Sequence, residues 1–248
     1  MKTTLLTAAA LSLLGVSAFA ADMVAPPPGP APAPARFSWT SCYAGGYVGG
    51  GFGQKNLADN AGFLAGLGGP GAADLDISGY MLGGQLGCDY QFSSGFLLGV
   101  EGSAAGGNIG GQTLVPVPGD NATFKQTTDF LSDATGRVGF AWDRFLPYVK
   151  GGAAWAGDRY SVFDAAALYD AEAVESRFGW TAGVGVEWAL WDDWSIKLEY
   201  DYYGLGTRSV TFVDNVSGGS GPVDIKQNIQ VVKLGLSFHV FADQGPGR

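Results

Sequence analysis

The chain has 248 residues, a formal net charge of −9, 46% hydrophobic residues and only 15% charged ones. Glycine is abundant at 41 residues and aromatics reach 13%, whereas His occurs once and Cys twice. That balance argues against a nucleic-acid binder, which needs clustered Lys and Arg. It cannot supply a conventional zinc site, and beyond the N-terminus it offers no run suited to a transmembrane helix.

Residues 1–20 read as a cleaved export signal. Lys2 supplies the positive start, Leu5 to Val16 the short apolar core, and Ala18-Phe19-Ala20 the A-x-A cleavage site. The apolar run is short of the roughly 20 residues that a spanning helix needs. No Cys follows the cleavage point, which argues against a lipoprotein anchor. The Pro/Ala-rich run Ala25 to Ala35 favours extended polyproline conformation, so residues 21–37 are expected to be a periplasmic spacer. A docking site for a partner or the cell wall is the alternative. Residues 38–241 fit one all-β domain, with 242–248 left as a periplasmic tail.

A transmembrane strand needs about 9–11 residues with every second side chain facing lipid. Eight segments supply that pattern. The first, Cys42 to Gly53, is too glycine-rich for its facing to be read. In the second, Tyr80, Leu82, Leu86, Cys88, Tyr90 and Phe92 oppose Met81, Gln85, Asp89 and Gln91. The third sets Phe96, Leu98 and Val100 against Glu101 and Ser103, and the fourth sets Val138, Phe140 and Trp142 against Asp133, Thr135 and Arg137. From Pro147 to Gly157 the alternation is poorer, with Val149, Ala153 and Trp155 outward and Lys150 inward. The clearest segment runs from Arg177 to Leu190, where Phe178, Trp180, Val184, Val186, Trp188 and Leu190 share one face and Glu187 lies on the other. Trp194 to Tyr203 repeats it, with Lys197, Glu199 and Asp201 inward. The last, from about Lys226 to Phe241, sets Val232, Leu234, Leu236, Phe238 and Val240 against Lys233, Ser237 and His239.

Short links at Ser93-Ser94-Gly95, Asp143-Arg144-Phe145 and Trp191-Asp192-Asp193 alternate with long ones at about 54–76, 107–127, 158–176 and 204–223. Outer-membrane barrels have short periplasmic turns and longer extracellular loops, so an even strand count puts both chain ends in the periplasm. Unpaired backbone is not tolerated in hydrocarbon, so the sheet must close. Across the third short turn, Leu190 would face Trp194, Trp188 would face Ile196 and Glu187 would face Lys197. Aromatics fall into two bands, one near the short turns (Tyr90, Phe140, Trp188, Trp194) and one toward the long links (Tyr80, Trp155, Phe178, Tyr200). The expectation is an all-β, eight-stranded antiparallel transmembrane β-barrel with short periplasmic turns and four long extracellular loops, sited in a bacterial outer membrane.

The stretch Phe37 to Gly53 (FSWTSCYAGGYVGGGFG) after a signal peptide and Pro-rich spacer resembles the opening of the outer-membrane immunogenic proteins, a porin-like family of small OmpA-type barrels. Gly83-Gly84-Gln85-Leu86-Gly87, Leu146 to Gly152, and Val232 to Phe238 agree with it. The resemblance implies an eight-stranded barrel with a structural, surface-exposed and antigenic role. One departure is at the end: such barrels usually stop on an aromatic recognised by the insertion machinery, whereas here Val240 takes that place and Phe241 and a tail follow.

By side-chain parity Glu101, Arg137, Lys150, Glu187, Lys197, Glu199 and Lys233 all point inward, with nearly balanced signs. An eight-stranded barrel is just wide enough for side chains to fill it, so these charges read as a polar plug, with an ion path gated by partner switching as the alternative. Paired-carboxylate hydrolysis fits poorly, because cationic neighbours keep carboxylates ionised where a general acid needs a proton. His239 falls at the periplasmic end of the last strand, far from the outer rim where a Ser-His-acid hydrolase would meet substrate. Cys42 and Cys88 lie near the periplasmic ends of adjacent antiparallel strands in an oxidising compartment, so a hairpin-pinning disulfide is expected. The glycine runs lack a phosphate-loop ending, and Asp74 with Asp76 could bind calcium but more simply form a solvated face.

No cofactor is expected. The expected partners are outer-membrane lipids and lipopolysaccharide, with the insertion machinery during biogenesis. The expected role is non-enzymatic and structural, with a low-conductance porin or ion channel as the alternative. A soluble lipocalin-like carrier would need an apolar interior and polar exterior, the inverse of these segments.

Overall fold

The computed structural model describes residues 37–58, 60, 62, 72–117, 120–164, 169–213 and 220–240. The expected leader, nearly all of the spacer, Phe241 and the expected tail lie outside them. Eight strands follow one another: β1 (Ser41–Ala58), β2 (Ala72–Gln91), β3 (Phe96–Val117), β4 (Asp120–Phe140), β5 (Phe145–Asp164), β6 (Tyr169–Ala189), β7 (Trp194–Val213) and β8 (Ser220–Val240). Each pairs antiparallel with its sequence neighbours, and β1 pairs with β8 to close the barrel. The expected hairpin register holds, with Glu187 opposite Lys197 and Trp188 opposite Ile196.

The lower end is cut by three tight turns. After Phe92 the chain reverses through Ser93 and Ser94 to Gly95, whose φ of +90° suits a residue without a Cβ. The expected short link between β4 and β5 is present and turns on Asp143 and Arg144, because Phe145, the first residue of β5, bonds back to Trp142 in both directions. Asp143 sits at its apex with φ +54°, a left-handed conformation that Asp tolerates better than most residues.

Alternation of side chains decides what faces lipid. On β2, Tyr80, Leu82, Leu86 and Tyr90 are exposed, while Met81, Gln85 and Asp89 are buried. Edge-to-face ring pairs hold the two aromatic bands: Phe96 with Phe140 and Trp194 with Phe238 below, Trp155 with Phe178 above. Tyr80 and Tyr90 mark these bands on one strand; ten residues at ~3.3 Å each and a tilt of ~40° span about 25 Å, the height of an outer-membrane apolar band.

The strands do not end at the upper band. The intervals expected as long links are in large part strand, because β1–β2, β3–β4, β5–β6 and β7–β8 remain paired up to Ala58–Ala72, Val117–Asp120, Asp164–Tyr169 and Val213–Ser220. Above the band the polarity of the wall inverts while parity is kept. Asp74, Asp76 and Ser78 now face out, while Leu75, Ile77, Ile109, Leu131, Ile225 and Ile229 lie inside, around the buried carboxylate of Asp158, which pairs with Lys55 and Arg177. A search for outward apolar stripes therefore stops at the membrane surface, although the strand continues. From Tyr80 to Ala72 the extension rises about 20 Å at the same rise and tilt.

Inward glycines accommodate inward tyrosines. A Cβ at Gly83, Gly87 or Gly185 would lie 2.6, 2.5 and 2.5 Å from the side chains of Tyr47, Tyr43 and Tyr148 respectively. Gly185→Val should therefore displace Tyr148 and cost about 1–3 kcal/mol, seen as a lowered temperature for the heat-dependent shift in gel mobility. Cys42 and Cys88 face each other across β1 and β2 and are disulfide-bonded. Alkylating unreduced, denatured protein should leave its mass unchanged. Replacing both by Ser should cost up to about 4 kcal/mol, the value for a loop of this length in the chain-entropy view.

Candidate functional site

The lumen inside the apolar band is filled with charge. Arg137 on β4 sits lowest, with its guanidinium forked onto the Asp89 carboxylate of β2. Its Nη1 also donates to Glu187 Oε2 of β6 at 3.1 Å. The ring centroids of Tyr43 and Tyr148 lie 4.7 and 5.0 Å from the guanidinium carbon. Inward glycines leave the room this needs: a Cβ at Gly99 would collide with Asp89 Oδ1.

Above Arg137, three ammonium groups and further carboxyls interlock. Glu101 receives Lys150 at 3.2 Å, Lys197 at 2.6 Å and the Tyr43 hydroxyl at 2.7 Å. Glu199 accepts from Lys150 at 2.5 Å and from the Tyr148 hydroxyl at 2.7 Å. Lys233 reaches Asp201 at 2.6 Å, Glu199 at 3.5 Å and Asp133 at 3.6 Å. Every one of these side chains is almost wholly buried. Buried ions are tolerated only when paired and hydrogen-bonded, and each cation here touches at least two carboxyls.

All seven charges singled out by parity thus meet in one network. Asp89, Asp133 and Asp201 join it as well. They carry the same inward parity, but counting signs among the longer side chains passes over them. His239 is buried and structural in its contacts: Nδ1 lies 2.8 Å from Ser41 Oγ and Nε2 lies 2.9 Å from Ser195 Oγ, which donates to Glu187 Oε1. Asp74 and Asp76 face outward on the extension, where Asn56 and Gln54 donate to them. Among the described residues no three His, Cys, Asp or Glu side chains converge as a metal would require.

The lower mouth is covered by the segment just before β1, which sequence reasoning does not identify as part of the site. Trp39 is fully buried against Leu97, Ala141, Leu146, Tyr148 and Ala189. Its indole N–H donates to the Asp143 carbonyl at 2.9 Å and its backbone N–H to Gln91 Oε1 at 2.8 Å. Phe37 N–H reaches Asp143 Oδ1 at 3.3 Å, and the Arg144 guanidinium lies over the Phe37 ring at 5.3 Å. Of the chain's seven tryptophans, Trp39 alone is buried among the described residues.

Comparison with known proteins agrees with this architecture. Residues 6–238 match the outer membrane protein beta-barrel domain. The chain belongs to that family. It is 31% identical over 252 residues to the 31 kDa outer-membrane immunogenic protein of Brucella melitensis, covering 96% of this chain and 99% of that one. The 25 kDa outer-membrane immunogenic protein of Brucella abortus is 26% identical, with 96% and 98% covered. Among solved structures, the outer membrane protein OprG from Pseudomonas aeruginosa is similar, with a TM-score of 0.47, 16% identity and coverage of 82% and 99%. As a member of the outer-membrane barrel family the protein resides in the bacterial outer membrane, and its relatives are named as outer-membrane immunogenic proteins rather than as enzymes.

Two substitutions measure how much the family fold relies on this filling. Arg137→Met strands Asp89 and Glu187 and should cost about 3–5 kcal/mol, read as loss of the heat-modifiable band. Trp39→Ala empties the lower mouth and should cost about 3–5 kcal/mol, with loss of the buried component of tryptophan emission.

Proposed function

We propose that this protein is a sealed, non-catalytic scaffold of the outer membrane that carries its extracellular ends on a rigid barrel extension. The observation behind the reading is the sequence of fillings along the axis: Trp39 at the lower mouth, the interlocked charges in the middle, and above them an apolar cluster that encloses the buried ion pairs of Asp158 with Lys55 and Arg177. Ion passage would require Lys150, Lys197 and Lys233 to leave several carboxyl partners at once, which is the cost the alternative channel reading carries.

A hydrolytic reading has one suggestive arrangement, Ser41 beside His239 beside Glu187. The three are 6%, 3% and 0% exposed, under the covering Trp39, so no substrate reaches the hydroxyl. Catalysis also requires donors aimed at a developing oxyanion, and the described contacts supply none there.

The partners that suit this exterior are lipid chains along the apolar band and lipopolysaccharide around the polar extension, with the insertion machinery engaged during assembly. Planar-bilayer recording of purified protein is the test. Wild type and Lys197→Ala should both be silent; discrete, reproducible steps in wild type would establish the channel instead.

A further inference from the structure

Above the upper aromatic band the wall is not continuous. Among the described residues β6 and β7 pair only from Ala189–Ser195 up to Trp180–Gly204, although β6 runs on to Tyr169 and β7 to Val213. The other seams between hairpins stay shut higher up. β4–β5 holds to Thr123–Phe163 and β1–β8 to Ala58–Asp224. β2–β3 stops pairing at Ser78–Gly110, yet a Cβ on Gly111 would lie 2.5 Å from the Asp76 carbonyl oxygen, so those strands keep touching. Arg208 lies opposite the buried Ile225 of β8 and so has inward parity, but it is exposed, as a gap beside it explains.

The backbone groups left at this gap can be assigned. The Ala189 N–H donates to the Arg144 carbonyl, toward β5, whereas the Leu190 N–H donates to the Trp194 carbonyl, toward β7. Alternate residues of a strand address opposite neighbours, and the β5–β6 register runs without a shift from Trp188 to Tyr169. Even-numbered residues of β6 therefore address β7. At positions 170, 172 and 174 and at Ser176 their N–H and C=O groups meet no strand among the described residues. Hydrocarbon would not tolerate that. Above the band water can solvate such groups, and a sheet edge in water is a template for another strand.

The two edges are not equally open. β7 enters the gap through a register shift between Gly204 and Thr207, with Gly206 at φ +70° and the exposed Arg208 beyond it. Bulges and cations are how natural edges avoid pairing. β6 has no bulge, Pro or Lys over residues 169–179. It does carry a carboxylate that a partner would suit. Glu175 lies opposite Asp158, which already pairs with Lys55 and Arg177, and Glu175 Oε2 is enclosed without a hydrogen-bond donor. A second barrel fits this edge poorly, because the exposed Phe178 and Trp180 stand outward at the foot of the gap and keep its wall beyond the roughly 4.8 Å at which strands pair. A single strand is narrow enough.

We propose that the free edge of β6 is a docking site for an extended, positively charged polypeptide segment of another protein, which adds to the sheet as a strand and brings a Lys or Arg to Glu175. Main-chain hydrogen bonds to Ser176 and to positions 170, 172 and 174 supply the affinity, as in other cases of strand addition. Successive side chains of the added strand point alternately to the lumen side and to solvent, so sequence preference is concentrated at the residue beside Glu175. The site lies outside the membrane and stands or falls independently of whether the lumen conducts.

Fluorescence anisotropy with the full-length protein in detergent tests this, using as probe a short synthetic peptide of alternating Thr and Val with one central Arg. Wild type should bind the peptide saturably. Methylating alternate backbone nitrogens of the peptide, in one of the two possible phases, should weaken binding by about tenfold or more. Ser176→Pro should do the same, since it removes an edge N–H while sparing the β5 ladder and the heat-modifiable mobility. Replacing the peptide's Arg by Glu should weaken binding to wild type, and Glu175→Gln should abolish that difference. No saturable binding by folded wild type overturns the proposal. So does binding that survives methylation in both phases, a result that needs no variant to fold. An Arg preference that persists in Glu175→Gln overturns the role of that carboxylate. Wild-type dimers that Ser176→Pro converts to monomers, measured by light scattering, would overturn the proposal in favour of a second copy at the edge.

Discussion

Everything in this protein follows from the need to satisfy backbone hydrogen bonds where there is no water. In hydrocarbon a strand cannot leave an edge open, so the first strand must find the last. The seam between β1 and β8 runs from Cys42–Val240 to Ala58–Asp224. Once it forms, parity assigns each side chain to lipid or lumen and a one-residue slip would exchange them. The small interior of eight strands then demands that whatever points inward be packed, paired or absent. Tyrosines over glycines, ammonium groups between carboxyls and Trp39 beneath them are three answers to that single constraint.

Most of the membrane-spanning part is legible in the chain because lipid imposes a one-sided rule. Apolar residues at every second position from Phe178 to Leu190 fit a strand with one face against hydrocarbon, and the turn at Trp191–Asp193 sets the neighbouring register. The extension is not legible by the same rule. Its inward Leu75, Ile77 and Ile229 and outward Asp74 and Asp76 resemble a soluble strand, so a search for lipid-facing stripes leaves them in the links. Only tertiary pairing shows that one strand serves both environments in succession.

The site is partly legible. Parity brings together the Glu, Lys and Arg residues correctly, since an inward direction needs no three-dimensional information. It undervalues the shorter Asp89, Asp133 and Asp201, whose reach depends on the space beside them, as Gly99 and Gly183 show for Asp89 and Asp201. The role of Trp39 has no signal at all in the alternation, because it precedes the first strand and acts through the Asp143 turn, remote in sequence. Long-range contacts of that kind carry no periodicity.

The bond between Cys42 and Cys88 has a temporal meaning. Both residues face outward, and Cys88 lies two residues inside the lower aromatic Tyr90. After insertion, acyl chains surround the sulfurs, and thiolate exchange needs an ionised attacker from water. The bond must therefore be made while the chain is still in the aqueous periplasm. The first two strands accordingly reach the bilayer already aligned, as a crosslinked hairpin. The register of β1 is thereby held by a covalent bond, and the closing seam with β8 inherits it.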